Sequence, residues 1–121
     1  MDNKILVVDD AMFMRSIIRK ILKEEGYTQI WEAHDGEKAM ELFREIRPDL
    51  VLLDITMPGR SGLEVLEEML GLVPGARIIM CSAVGQEMMI QKALTLGAVD
   101  FIVKPFKTDE FSRIVNRWLE Q

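Results

Sequence analysis

The sequence predicts an α/β fold: a doubly wound, five-stranded parallel sheet of the (βα)5 type, with strand order 2-1-3-4-5. Short apolar segments alternate with helical patterns five times along the chain. Two of these segments, residues 5–8 and 50–53, contain no polar residue, which is typical of strands buried on both faces. Parallel neighbours also require crossover helices, and these cover the sheet on both faces.

Each predicted element follows from its residue pattern. The strands are predicted at residues 5–8, 29–33, 50–53, 76–81 and 101–103. The helices are predicted at residues 12–25, 37–46, 63–72, 86–96 and 111–119, where apolar residues recur every three or four positions. Gly26, Pro48 and Gly97 stand where three of these helices would end. The second strand, followed by Asp35-Gly36, has the pattern of an edge strand and turn.

Length and charge restrict the classes of function. The chain has 121 residues, which fits one domain over residues 1–121, and its net charge of −5 disfavours binding to nucleic acid or to an anionic membrane. Cys81 is the only cysteine, so no intramolecular disulfide forms, as expected in a reducing compartment. No signal-peptide pattern or membrane-spanning run is present. We expect a soluble, cytoplasmic monomer.

Three carboxylates follow two neighbouring strands of the predicted sheet. Asp9 and Asp10 come directly after the first strand, and Asp54 follows the third. In such sheets the carboxyl ends of strands 1 and 3 flank the point where ligands bind. Because like charges repel, three adjacent carboxylates require a cation, and hard oxygen ligands suit Mg²⁺. His34 is the only histidine, so no zinc pattern competes.

Two further polar side chains stand at the ends of the remaining strands. Ser82 follows the fourth strand and Lys104 the fifth. A nucleophilic carboxylate, a metal, a cation and a hydroxyl donor are the parts needed for phosphoryl transfer to an aspartate. Asp54 is the best nucleophile because it stands alone at the end of the central strand. Asp9 and Asp10 are the expected metal ligands.

Each of these residues also has an ordinary structural interpretation. Asp10 could cap the helix that follows it, and Asp54 could begin a turn. Ser82 and Lys104 could be ordinary turn or surface residues. Their shared position, at the carboxyl ends of four strands, favours a common site.

The motifs around these residues closely resemble the receiver domain of two-component response regulators, over the whole chain. The matching segments are VDD at residues 8–10, LLDITMPGRSG at 52–62, Ser82, and DFIVKPF at 100–106. The resemblance implies that Asp54 accepts a phosphoryl group from a phosphohistidine on a histidine kinase. It also implies that Mg²⁺ is held by Asp9, Asp10, Asp54 and the backbone carbonyl of Thr56.

The resemblance further assigns the switch. Lys104 would bind a phosphoryl oxygen, Ser82 would turn inward to bind another, and the Lys104-Pro105 peptide would be cis. Phe101 would then pack inward, and the surface of helix 4, strand 5 and helix 5 would report phosphorylation. On this basis the chain is a switch rather than an enzyme, since it catalyses only its own phosphorylation and dephosphorylation.

Within the family, VDDAMFMR, IIMCSAVGQ and DFIVKPF are most similar to the stand-alone chemotaxis regulators of the CheY type. That similarity implies a CheA-like kinase as donor, a FliM-like flagellar switch protein as target, and a phosphatase as a further partner. A receiver from a phosphorelay outside chemotaxis is the alternative. Helix 4 carries an apolar stripe wider than one buried face requires, which indicates either a partner surface or additional core packing. Its residues are Met88, Met89, Ile90, Ala93, Leu94 and Leu96.

Three departures from the family pattern affect expectations. Phe101 replaces the tyrosine often found at the aromatic switch position, and Ser61 stands where many relatives carry an acidic residue. Thr56 and Val84 occupy the variable positions beside the phosphorylation pocket. We expect these two side chains to set the lifetime of the phosphorylated state.

Two other protein classes fit the sequence less well. A haloacid-dehalogenase-like phosphatase would carry an Asp-x-Asp signature after strand 1, but Ala11 and Met12 follow Asp10. A flavodoxin-like flavin binder shares the fold, but its phosphate would be repelled by Asp9 and Asp10. His34 is expected in a solvated loop, and Cys81 in the core.

Overall fold

The structure is a computed structural model and describes residues 2–120. The strands are β1 (Lys4–Val8), β2 (Gln29–Ala33), β3 (Leu50–Asp54), β4 (Ile78–Ala83) and β5 (Asp100–Lys104). The helices are α1 (Met12–Glu24), α2 (Gly36–Ile46), α3 (Gly62–Leu72), α4 (Glu87–Leu96) and α5 (Thr108–Leu119). Strands and helices alternate throughout, as the sequence predicts. None of the helices described is long and apolar enough to cross a bilayer.

The five strands form one parallel sheet in the order β2-β1-β3-β4-β5, which confirms the predicted fold. Val8, the last residue of β1, lies opposite Ala33 on one side and Leu53 on the other. Asp54, the last residue of β3, lies opposite Cys81 of β4. The chain order therefore reverses between β1 and β3, and the carboxyl ends of these two strands open onto the same point.

Two hydrophobic clusters, one on each face of the sheet, make up the core. Side chains alternate between the faces along each strand, so Ile5 packs with α1 and α5 whereas Leu6 packs with α2, α3 and α4. Phe43 and Phe111 are among the largest buried side chains, one in each cluster. Burial on both faces fixes the strands and hence the positions of the residues at their carboxyl ends.

Some boundaries differ from the prediction. β4 begins at Ile78, two residues later than predicted, because the Ala76 N–H donates to the Val73 carbonyl and closes the preceding turn. β4 also ends two residues later than predicted, at Ala83, because Ser82 and Ala83 pair with Val103 and Lys104, so Ser82 lies inside β4 and not after it. The alternative role of Asp10 as a helix cap is wrong: Ala11 is the N-cap residue of α1, and no side chain caps that helix.

Candidate functional site

Three carboxylates meet at the carboxyl ends of β1 and β3. Asp9 and Asp54 are buried, with 2% and 6% of their surface exposed, whereas Asp10 is exposed. One carboxylate oxygen from each residue lies within 4.8 Å of the other two. The three side chains expected to hold a metal are therefore brought together in the described chain.

Lys104 reaches this cluster from the end of β5. Its Nζ lies 3.1 Å from Asp9 Oδ2 and 3.3 Å from Asp54 Oδ1. The ammonium therefore bridges the two buried carboxylates and supplies one positive charge to the cluster. Three negative charges and one positive charge still leave a net charge of −2 with ionised carboxylates (−3 + 1). That net charge and the all-oxygen donor set fit a divalent cation such as Mg²⁺.

Burial and charge act in opposite directions on the protonation of these groups. Burial raises the pKa of Asp54, and the ammonium of Lys104 only partly offsets that effect, while Asp9 adds to it. Burial lowers the pKa of Lys104, but attraction to Asp54 and Asp9 outweighs burial, so the net pKa is raised. Lys104 therefore stays charged at neutral pH.

Asp9 is held in place through its side chain and its backbone. Its Oδ1 accepts from the Ala11 N–H at 2.9 Å, and its Oδ2 accepts from Lys104. The Arg15 guanidinium donates to the Asp9 carbonyl at 2.6 Å, and the same side chain pairs with Glu32 of β2. These contacts orient Asp9, while the neighbouring Asp10 faces solvent.

Ser82 presents a buried hydroxyl without a hydrogen-bond partner among residues 2–120. A buried hydroxyl left unpaired costs about 1–3 kcal/mol. Ser82 follows Cys81, the residue that pairs with Asp54, and so lies beside the carboxylate cluster. Its Oγ is a hydrogen-bond donor available to an oxygen placed there.

Gly62 allows the loop after β3 to pack against the strand that carries Asp54. A Cβ at this position would lie 2.1 Å from the Asp54 carbonyl oxygen, and the Gly62 N–H donates to the Ile55 carbonyl at 2.8 Å. Ser61, at the position that is acidic in many relatives, is the N-cap of α3 and forms a capping box with Glu64. The loop is thus fixed by backbone contact and capping.

Thr56 and Val84 lie in the loops that follow β3 and β4. Thr56 is exposed, and 76% of the surface of Val84 is exposed. The Thr56 hydroxyl accepts from Gln86 Nε2 at 2.6 Å, and Gln86 Oε1 accepts from the Ala83 N–H at 2.7 Å. Sequence reasoning missed the role of Gln86, because its place at the end of the IIMCSAVGQ segment does not indicate that its side chain reaches Thr56 and Ala83.

The family model described as the response regulator receiver domain matches residues 5–116 of this chain. The chain belongs to the response regulator receiver domain family. It is therefore a receiver of a two-component system, as the motif resemblance implies. Receiver domains bind Mg²⁺ at an acidic pocket, and the described chain has an acidic cluster formed by Asp9, Asp10 and Asp54.

The relatives of this receiver are named for different processes. It is 49% identical to the chemotaxis protein CheY of Listeria monocytogenes over 106 residues, which cover 88% of this chain and 89% of that one. It is 39% identical to the sporulation initiation phosphotransferase F of Bacillus subtilis, covering 98% and 95% of the two chains. The receiver domain of NtrX from Brucella abortus superposes with a TM-score of 0.92 at 36% identity, covering 98% and 99%.

The aromatic position of this receiver faces outward. Phe101 is 38% exposed and borders a groove of about 310 Å³ between α4 and β5, which Val84, Leu94 and Val103 also line. Met88 of α4 is 85% exposed, so the wide apolar stripe of α4 lies partly on the surface and is not all core packing. The Lys104-Pro105 peptide is cis, as the resemblance implies.

His34 and Cys81 contribute little to the site, as the sequence predicts. His34 is exposed and lies 3.2 Å from the Asp35 carboxylate. Cys81 is buried in β4, and burial raises the pKa of its thiol to about 12. A thiol that remains protonated at neutral pH is a weak nucleophile and a weak metal ligand.

Proposed function

We propose that this receiver is a phosphoryl-accepting switch in which Asp54 takes its phosphoryl group from a phosphohistidine on a histidine kinase. Receiver domains take phosphoryl groups from such kinases. The observation that carries the proposal is the set of groups around Asp54: the Lys104 ammonium at 3.3 Å and the buried, unpaired hydroxyl of Ser82. A carboxylate, a cation and a hydroxyl donor together can accept and hold a tetrahedral anion.

In the transfer, a carboxylate oxygen of Asp54 forms a bond to the phosphorus atom while the bond from phosphorus to the kinase's imidazole nitrogen breaks. The electron pair of that bond leaves with the imidazole. Lys104, which contacts Asp54 in the unphosphorylated protein, is placed to pair with an oxygen of the transferred group. The Ser82 hydroxyl would donate to a second oxygen and so gain the partner that it lacks.

Mg²⁺ is the proposed cofactor. Asp9, Asp10 and Asp54 would hold it through the oxygens that lie within 4.8 Å of one another, together with the Thr56 carbonyl. When bound, Mg²⁺ neutralises charge on the phosphoryl oxygens. Asp10, the exposed member of the cluster, remains free to turn toward the ion.

The chain itself is proposed to have no turnover on external substrates. Water would hydrolyse the aspartyl phosphate and return the carboxylate, so one phosphoryl group is consumed per switching cycle. A haloacid-dehalogenase-like phosphatase would instead hydrolyse small phosphate esters continuously. Steady release of phosphate from a small phosphate monoester, at a rate above that of the Asp54→Asn variant, would contradict this part of the proposal.

Chemotaxis is the proposed pathway, with a CheA-like kinase as donor, a FliM-like flagellar switch protein as target, and a separate phosphatase as a further partner. The relatives named as chemotaxis protein CheY support it. The output surface would be the α4–β5–α5 face, where Met88, Val84 and Phe101 are exposed. The sporulation phosphotransferase and NtrX likenesses make a phosphorelay outside chemotaxis the second candidate.

Phosphotransfer and binding assays distinguish the two pathways. The chain is mixed with a phosphorylated CheA-like kinase or with a phosphorylated kinase of a sporulation-type relay. Loss of the phosphoryl group from each kinase is followed in time. Faster transfer from the CheA-like donor, together with phosphorylation-dependent binding to a FliM-like peptide, is expected. Preference for the other donor, without such binding, would contradict the chemotaxis proposal.

A further inference from the structure

The side chain of Gln86 joins the two loops that flank the phosphorylation pocket. Its Nε2 donates to the hydroxyl of Thr56, two residues after Asp54, at 2.6 Å. Its Oε1 accepts from the backbone N–H of Ala83, the residue after Ser82, at 2.7 Å. A single amide group therefore connects the loop that follows β3 to the end of β4.

The Ala83 N–H needs this partner because β4 pairs with β3 only as far as Cys81, although Ala83 itself still pairs with Lys104 of β5. In a parallel sheet, alternate residues of a strand direct their backbone groups to the same neighbour. The Cys81 carbonyl accepts from the Ile55 N–H, so the backbone of Ala83, two residues later, also faces the β3 side. On that side, the carbonyl in position to accept from the Ala83 N–H is that of Ile55. It accepts from the Gly62 N–H instead. Ala83 thus presents its N–H beyond the last residue of β3, which is Asp54.

We propose that Gln86 is a positioning residue that competes with the phosphoryl group on Asp54 for the Ala83 N–H. The inference rests on the proposed function, since it requires an anion at Asp54. The Ala83 N–H, which lies beyond the end of β3, and the buried, unpaired hydroxyl of the adjacent Ser82 form two donors for a phosphoryl oxygen. In the unphosphorylated chain, Gln86 Oε1 occupies one of these two donors.

The competition links phosphorylation to movement of the β4–α4 connection. When a phosphoryl oxygen accepts from Ala83, the Gln86 carbonyl loses its partner, and the hydrogen bond to Thr56 is the remaining contact of that side chain across the pocket. Gln86 is also the N-cap position of α4, although no side chain caps that helix. Release of Gln86 therefore frees the start of α4, which borders the groove beside Phe101.

The experiment measures the affinity of the full chain for beryllofluoride, a phosphoryl analogue, in the presence of Mg²⁺. The wild type, Gln86→Met and Gln86→Glu are compared, with Gln91→Met, an exposed glutamine on the same helix, as the matched control. The Ala83 amide resonance is followed by NMR in each titration. Mg²⁺ affinity without beryllofluoride is measured in parallel.

Gln86→Met, which removes the competing acceptor, is expected to bind beryllofluoride about three- to tenfold more tightly, the factor that one net hydrogen bond supplies. Gln86→Glu keeps an acceptor and adds a negative charge, so it should bind more weakly than wild type. Gln91→Met and the Mg²⁺ affinity of Gln86→Met should stay unchanged.

The negative outcomes are separable. If the wild type binds beryllofluoride but Gln86→Met binds it equally or more weakly, the inference about Gln86 is wrong and the proposed function stands. If the wild type does not bind beryllofluoride, the proposed function fails and the competition fails with it. An Ala83 amide resonance unmoved by beryllofluoride in the wild type would also overturn the inference.

Discussion

Replacing Lys104 with methionine tests the charge balance of the site. Methionine keeps most of the apolar stem but removes the ammonium that lies 3.1 Å from Asp9 and 3.3 Å from Asp54. Two buried carboxylates would then lack a counter-charge in metal-free buffer. The variant should be less stable than the wild type, and added Mg²⁺ should restore much of the difference.

The size of the loss follows from the geometry. At these separations each ion pair contributes roughly 5 kcal/mol of attraction for an effective dielectric constant of about 20. Desolvation of Lys104 and repulsion between Asp9 and Asp54 offset much of that attraction. Removing one partner of a buried pair typically costs about 3–5 kcal/mol. Because the Lys104 side chain is still 17% exposed, we expect a loss near the lower end of that range, about 3 kcal/mol.

Urea unfolding in EDTA, and again in excess Mg²⁺, measures this effect. Lys38→Met is the matched control, because the Lys38 side chain is 43% exposed and pairs at the surface with Glu41 at 3.7 Å. Its loss should stay below about 0.5 kcal/mol in both buffers. A Lys104→Met loss as small as the control's, or one that Mg²⁺ does not reduce, would refute the view that Lys104 offsets the carboxylate charges.

Three further predictions concern other parts of the site. Gly62→Ala, whose Cβ would lie 2.1 Å from the Asp54 carbonyl oxygen, should lower the free energy of unfolding in urea by about 3 kcal/mol or more. Gly71→Ala is its control, because a Cβ at that position meets no atom within 4 Å. Equal stabilities of the two variants would contradict the packing argument. The Cys81 thiol should make the stability of the fold depend on pH, because its pKa is about 12 in the folded chain and 9.0 in the free thiol. The unfolded chain therefore loses this proton first, and stability falls as pH rises above 9. That loss should reach about 1.4 kcal/mol at pH 10, and Cys81→Ala should lack it; an unchanged pH profile in the variant would refute the assignment. Separate changes of Thr56 and Val84 to glutamate should alter the dephosphorylation rate severalfold in a phosphate-release assay, and unchanged lifetimes would show that neither side chain controls water access.

The fold was predictable because its strongest signals are local. The unbroken apolar runs around Leu6 and Leu52 require burial on both faces, and the intervening helical patterns allow only parallel crossovers. The start of β4 was predicted two residues early because Ala76 and Arg77 look strand-like beside Ile78. The Ala76 N–H belongs instead to a turn closed by the Val73 carbonyl, and propensity alone does not report that hydrogen bond.

The site was predictable as a set of residues but not as a set of contacts. Because β1 and β3 are neighbouring parallel strands, Asp9 and Asp54 lie at the same edge of the sheet whatever the conformations of their side chains. The placement of Lys104 Nζ between these two carboxylates depends on how far a long side chain extends from β5, and no spacing rule gives that distance. Gln86 was missed for a similar reason, since its importance comes from its hydrogen bonds to the Ala83 N–H and the Thr56 hydroxyl, which form only in the folded chain.

The most direct test of the account is the intact mass of the protein after incubation with acetyl phosphate and Mg²⁺. Wild type is compared with Asp54→Asn, with a metal-free sample, and with Asp109→Asn, an exposed aspartate of α5. We expect a gain of one phosphoryl group in wild type and Asp109→Asn, and no gain in Asp54→Asn or without metal. An equal gain in Asp54→Asn, or no gain by the wild type from either acetyl phosphate or a phosphorylated histidine kinase, would contradict it.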